Sequence, residues 1–256
     1  SLSESGVNDF TKFATVTAVA TKASTAEMTK LYALGYGIFR EDFTSDMDFG
    51  EQFSGAIAGA VQEFRTDGAD LSAGISNIGA SAKVMGVSLA EELAIIGLSK
   101  SAFASASEAG SGYRAFLDGA ANAQKKLGLN FTDSNGKMLP MATILGLIKN
   151  KYGDLDFAEI KELKDGFGSS EAIKTISALL PKVNELKAAE IGLKKSMLNG
   201  MAKSNKMAKA MDTGWGFEKI SNGMSYLGFT IGKALVPVID VLANGIGHLA
   251  MGVEWL

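Results

Sequence analysis

A serine or aspartate followed three residues later by glutamate recurs along this chain, and each instance marks a place where a helix can begin. Ser24–Glu27, Ser88–Glu91, Ser105–Glu108 and Asp156–Glu159 all have this spacing, and Gly168-Ser169-Ser170-Glu171 is a related start. The cap oxygen accepts from a free N–H of the first turn, and the glutamate reaches back to the cap's own N–H. Between these starts the chain carries only three prolines, Pro140, Pro181 and Pro237, in 256 residues. Helices therefore meet few obligatory breaks. The 30 glycines sit mostly beside Ala and Ser, which suits closely packed helices better than a sandwich of short strands. The reading is mainly α: a multi-helix array with one short β-hairpin near residues 129–139 and long C-terminal helices.

Apolar spacing places the elements. Val7 to Lys22 reads as a first helix through Phe10, Phe13 and Thr17. Ser24 starts a second helix that carries Met28, Leu31 and Tyr32 and ends near Gly35 or Gly37. Phe39 to Phe49 reads as an acidic loop or short helix whose aromatics plug the core. It lacks the ligand spacing and closing Glu of a calcium loop. Phe53 to Phe64 is a helix with Gly55 and Gly59 one turn apart, a spacing that lets two backbones approach closely. Asp67 to Met85 reads as one continuing helix, ended by Gly86.

The stretch Val84–Leu139 is the best punctuated. Ser88 and Ser105 start helices, the first burying Leu93, Ile96 and either Ala94 or Leu98, the second running through Tyr113, Phe116 and Leu117 to a stop at Gly128. Asp133-Ser134-Asn135-Gly136 reads as a tight turn with φ > 0 at both Asn135 and Gly136, joining strands Leu129–Phe131 and Lys137–Leu139. Further helices follow from Pro140, Asp156 and Ser169. Pro181 is a kink or a first turn, and Lys182 to Met211 is one long Lys-rich helix. Two regions result: 1–180, a helical region with the hairpin, and 181–256, the Lys-rich helix followed by an apolar helical segment.

Charge and residue inventory exclude several functions. The formal net charge is −3 and arginine occurs only at Arg40, Arg65 and Arg114, so there is no basic stripe and no specific nucleic-acid site. With no Cys a thiolate metal site is excluded, and with His248 the only imidazole base and no nucleophile-elbow motif a Ser-His-Asp arrangement is not expected. No phosphate-binding glycine loop is present. Carboxylates such as Glu91/Glu92 and Glu159/Glu162 sit at helix starts, where backbone N–H groups and the helix dipole account for them. No catalytic residue, cofactor or metal ligand is assigned. Glu63 and Glu108 are the only acids worth naming for a lytic glycosidase. The N-terminus shows no signal peptide and no initiating Met, which reads as a fragment or a processed product.

Residues 215–256 are the most apolar. No uncharged window in them reaches the length of a spanning helix. Leu227, Phe229, Ile231, Leu235, Val236, Ile239, Leu242, Ile246, Leu249 and Trp255 are the candidate oligomer or membrane contacts.

Several blocks in series resemble the TP901-type core region of phage tail tape measure proteins. Gly86-Val87-Ser88 with Glu91-Glu92-Leu93-Ala94 is similar to that family's GIS-x-EE-A helix start. Ser107-Glu108-Ala109-Gly110-Ser111-Gly112-Tyr113-Arg114 is similar to its GSEAGTALR block. Leu129 to Pro140, with Asp133 and Gly136-Lys137, is similar to its hairpin. Gly166-Phe167-Gly168-Ser169-Ser170-Glu171-Ala172 is similar to its IFG-[ST]-E-A element. Met211-Asp212-Thr213 and Gly232-Lys233-Ala234-Leu235-Val236-Pro237-Val238 are similar to the stretch near its end. Phe103-Ala104 and Trp215-Gly216-Phe217 depart from the pattern.

The resemblance implies a structural, non-enzymatic protein of the tail interior, assembled in the host cytoplasm, that sets tail length, templates tube assembly and aids DNA ejection. It implies self-association and partners among the tail tube protein, tail assembly chaperones and baseplate or tail tip proteins, with the host inner membrane as a further contact. The competing class is an independent helical membrane-active, pore-forming or interaction protein. A cell-wall lytic enzyme comes last.

Overall fold

The computed structural model describes residues 4–211, with side-chain surroundings described from residue 9 onward. The described residues are mainly helical and form no sheet. Contacts divide the described residues into two units, one of residues 4–72 and 193–211, the other of residues 73–192.

The first unit is built from α1 (Glu4–Thr21), α2 (Thr25–Phe39), α3 (Asp46–Phe64) and, from the far end of the described chain, α12 (Met201–Met211). α1 packs on α2, α3 and α12. The Ser24 capping box forms as expected: Ser24 Oγ accepts from the Glu27 N–H at 3.1 Å and Glu27 returns to the Ser24 N–H at 2.9 Å. α2 runs past Gly35 and Gly37 to Phe39, because Gly35 is held against the Phe53 ring and ends nothing. A single 3₁₀ turn, Arg40–Asp42, leads to α3. The aromatics on either side of it do plug the core. Phe49 lies 5.0 Å from Phe53, 6.0 Å from Phe10 and 5.4 Å edge-on from Phe43. Edge and offset arrangements of this kind suit the ring quadrupoles.

Hydroxyls cross this unit in a buried chain. Thr17 Oγ1 lies 2.8 Å from the Tyr32 hydroxyl and 2.6 Å from Ser54 Oγ, which lies 2.6 Å from Ser204 Oγ. The close approach foreseen for Gly55 and Gly59 is present. A Cβ on Gly55 would fall 2.2 Å from the Ser196 carbonyl oxygen, and one on Gly59 would fall 2.7 Å from Ser196 Cβ.

The second unit is organised around α7 (Ala106–Leu127), which packs on α5 (Ser81–Val84), α6 (Leu89–Ser99), α9 (Phe157–Phe167) and α10 (Ser170–Leu179). α8 (Met141–Tyr152) completes it. The cut between the units falls inside α4 (Gly68–Ile78) and α11 (Val183–Leu198). Phe116 and Phe131 both stack on Phe167, at 5.0 and 6.0 Å. Leu93, Ala94 and Ile96 are buried as expected, as are Tyr113, Phe116 and Leu117. The Asp156 capping box forms, and Pro181 sits in a one-turn 3₁₀ segment, Leu180–Lys182, that opens α11.

Three expectations need correction. Asp67–Met85 is two helices, broken at Gly79 (φ +63°), and the long helix Lys182–Met211 is broken at Gly200 (φ +49°). Both residues take the left-handed conformation that ends a helix, which glycine adopts without strain. The hairpin is reduced to a turn and one isolated antiparallel bridge, Thr132 with Met138. Two facing strands alone are marginal; Asp133 N–H donates to the Lys137 carbonyl and Leu139 N–H to the Phe131 carbonyl, both at 2.8 Å, while neighbouring donors turn elsewhere. Phe131 N–H donates to Gln124 Oε1 at 2.7 Å, and Met138 N–H donates to the Met85 carbonyl at 2.9 Å. The turn itself also differs. Gly136 has φ +76° but Asn135 does not have positive φ, and Gly136 N–H donates to the Asp133 carbonyl at 3.1 Å. This is an ordinary turn followed by a left-handed glycine, a common three-residue hairpin loop.

Candidate functional site

The stretch that carries most of the sequence punctuation folds back on itself. The 129–139 loop docks on the connection between α5 and α6. Besides the Met138–Met85 bond, Lys137 Nζ donates to the Val84 carbonyl at 3.0 Å. The loop is then continuous with α8, whose first N–H groups point back at α6.

The two adjacent glutamates of α6 have different fates. Ser88 caps the helix, its Oγ accepting from the Glu91 N–H at 3.3 Å. Glu91 does not return to the cap, so the expected box is half made. Its carboxylate accepts instead from the Met141 N–H at the first turn of α8. Pro140, at the N-cap of α8, offers no side-chain acceptor. Glu91 thus supplies from another helix the anion that α8 lacks. The Ser105 box is also half made, because Glu108 accepts from Ala104 N–H, one residue earlier.

Glu92 has no such role. It is fully buried, and neither carboxylate oxygen has a hydrogen-bond partner. On the helix it lies between Leu89 and Ile96, both buried. An isolated carboxylate in such a place costs far more than a neutral acid. Burial pushes its pKa well above the usual carboxylate range, Glu91 adds repulsion, and Lys83 partly opposes both. Tyr113, buried on α7, is likewise pushed up, by burial first and then by Glu91 and Glu92. The reading of both glutamates as helix-start signals holds for Glu91 in modified form and fails for Glu92. Its signal was present in the sequence, since Glu92 falls on the same helical face as Leu89 and Ile96.

A groove of about 400 Å³ lies elsewhere in the second unit, lined by Lys149, Asp154, Leu155, Ile160, Ser177, Leu180 and Pro181. It is lined by one cation, one anion and a hydroxyl beside four apolar side chains, and holds no pair of carboxylates of the kind glycoside hydrolysis uses. Phe157, 85% exposed, begins the helix that contributes Ile160. Glu63 and Glu108, the acids named for a lytic reading, are both exposed. Among the described residues, no three His, Cys, Asp or Glu side chains are grouped to hold a metal. No helix among them is long and apolar enough to cross a membrane. His248 and the ten apolar candidates from Leu227 to Trp255 lie outside the described residues.

No curated protein and no solved structure matches the chain. A family model does: that of the phage-related minor tail proteins, over residues 1–168. The matched span includes the whole of α1 to α9, and so both glutamates, the docked loop and α8. Matched along about two thirds of its length, this helical chain belongs to the phage-related minor tail protein family and is a phage tail protein.

Proposed function

We propose that the chain is part of a tape measure protein of the TP901 type, a non-enzymatic component that helps set tail length and template the tube. The observation that carries this reading is the family match over residues 1–168, which spans three of the blocks similar to the tape measure core and part of a fourth. The near absence of proline and the helical structure of the described residues agree with it.

A ruler works by rise per residue, about 1.5 Å in a helix. The longest described helix, α7, has 22 residues and spans roughly 33 Å. The second unit contains 120 residues, which laid out as one helix would span roughly 180 Å. The described chain is therefore a folded section of the ruler, and its contribution to length depends on whether it opens. In this reading residues 1–180 are the folded core region, and 181–256 the Lys-rich and apolar region through which copies associate. The ten apolar positions from Leu227 to Trp255 would supply that contact. Tube, chaperone and tail tip proteins are the partners.

The test is an in-frame deletion and a duplication of residues 73–192 in the phage gene, with tail lengths measured by electron microscopy. Shorter tails from the deletion and longer tails from the duplication are expected, by between roughly 33 and 180 Å. Assembled tails of unchanged length in both strains would refute the ruler role.

A further inference from the structure

The second unit contains one polar group that neither its fold nor its family explains. Glu92 is fully buried with both oxygens unpartnered, at the start of a helix that packs on α7 and α10 and on the 3₁₀ turn Lys100–Ala102. Natural cores rarely retain such a group without a use, because removing it would stabilise the fold. We propose that Glu92 is a proton-operated catch: it is buried as the neutral acid, and loss of its proton drives α6 out of the packing and opens the second unit.

The charges around it are few. On α6 itself Glu91 repels an ionised Glu92, and from α5 Lys83 attracts it. From α7 the facing titratable group is Tyr113, which is buried and stays a neutral phenol through the relevant range. On α10, Glu171 and Lys174 are exposed, and Lys100 on the 3₁₀ turn is half-buried. None of these three acts on Glu92 as Glu91 and Lys83 do. One half-buried lysine set against burial and a neighbouring carboxylate leaves the ionised form with too little compensation.

The direction follows from linkage. An acid whose pKa is raised on folding contributes nothing unfavourable below its unfolded value of 4.5, where both states hold the proton. Above that value the unfolded state releases its proton while the folded state cannot. Stability falls until the folded value is reached and then levels off. Within this window the opening equilibrium rises about tenfold per pH unit for one proton. Glu91 is adjacent, so movement of α6 also withdraws the anion that caps α8. Opening would uncover Leu89, Leu93 and Ile96 together. A catch of this kind would let the same residues exist as a closed unit at acidic pH and as an open, extendable helix at alkaline pH.

The experiment is urea unfolding of the whole chain from about pH 5 to about pH 9, a range that covers documented buried glutamates. Amide hydrogen exchange at α6 would be followed in parallel. Wild type should show the tenfold-per-unit rise in α6 exchange over part of this range, and Glu92→Gln, neutral at every pH, should be flat. Glu91→Gln should keep the slope but bring it to its plateau at lower pH, since it removes the like charge that helps hold the folded pKa of Glu92 up. Equal slopes in wild type and Glu92→Gln would overturn the proposal. If Glu92→Gln does not fold, the wild-type infrared spectrum decides. A protonated-carboxyl C=O stretch persisting above the pH at which exposed carboxylates ionise supports the catch, and its absence at neutral pH overturns it.

Discussion

Gly110 and Gly146 allow the packing argument to be tested with one chemical change made twice in the same unit. Both lie inside helices, α7 and α8, so replacing either with alanine should gain roughly 1 kcal/mol of helix propensity. Their surroundings differ. A Cβ on Gly110 would lie 2.2 Å from the Gly74 carbonyl oxygen, 3.0 Å from its carbonyl carbon and 3.1 Å from its Cα. All three are backbone atoms of α4, so no side chain can swing aside and the helices must move apart by about 1 Å to reach ordinary contact. Overpacking of this sort costs roughly 1–3 kcal/mol. On Gly146 the new methyl meets nothing within 4 Å. Gly146→Ala should therefore stabilise the unit by about 1 kcal/mol. Gly110→Ala should destabilise it by up to about 2 kcal/mol once the propensity gain is subtracted. For a unit of this size each kcal/mol is worth roughly 4 °C in Tm. Thermal unfolding followed by circular dichroism, with hydrogen exchange at α4 and α7 to locate the effect, reads both. A Gly110→Ala protein as stable as Gly146→Ala would show that α4 and α7 do not meet at this point.

Two further outcomes follow from buried polar groups. Thr17→Val keeps the shape of the side chain but removes the hydroxyl shared by Tyr32 and Ser54, leaving the Tyr32 hydroxyl with Ser54 and a long 3.5 Å bond to the Gly50 carbonyl. It should cost about 1–3 kcal/mol, read as a drop in the urea midpoint, and a neutral effect would mean that the chain of hydroxyls contributes nothing. Burial pushes the phenols of Tyr32 and Tyr113 above the ordinary tyrosine range, so folding loses stability as pH rises past about 10. Alkaline titration followed by phenolate absorbance should show the half-buried Tyr36 and Tyr152 ionising before these two, which ionise only as the chain unfolds. One smooth transition at the ordinary tyrosine pKa would contradict their burial.

Much of the architecture is set by local chemistry. The cap residues Ser24, Ser88, Ser105, Asp156 and Ser169 each accept from an N–H of the first turn of the helix they were expected to start. A cap is a contact within four residues, so sequence spacing contains all of it. The same holds for Gly128 as a stop, whose N–H bonds to the Gln124 carbonyl. Spacing alone does not reveal the breaks at Gly79 and Gly200, because a glycine in a helical pattern is compatible with continuing or stopping. What selects between the two is the packing of the flanking segments, and Gly200, for instance, sits against Glu51 of α3.

What the sequence by itself determined is the helical class, the positions at which helices start, and, with no cysteine, the lack of any thiolate. Each follows from residue type and short-range spacing. Only the tertiary structure decided where each glutamate of the Glu91-Glu92 pair would go. One reaches across to the first N–H of α8, 50 residues away in sequence, and the other is enclosed with no partner. The hairpin was decided the same way: Asp133 and Leu139 N–H groups bond across it, but those of Phe131 and Met138 go to Gln124 and Met85, and pairing stops at one bridge. Hydrogen-bond partners far apart in sequence compete with local ones for the same donors and acceptors, and that competition is settled only when the helices are packed.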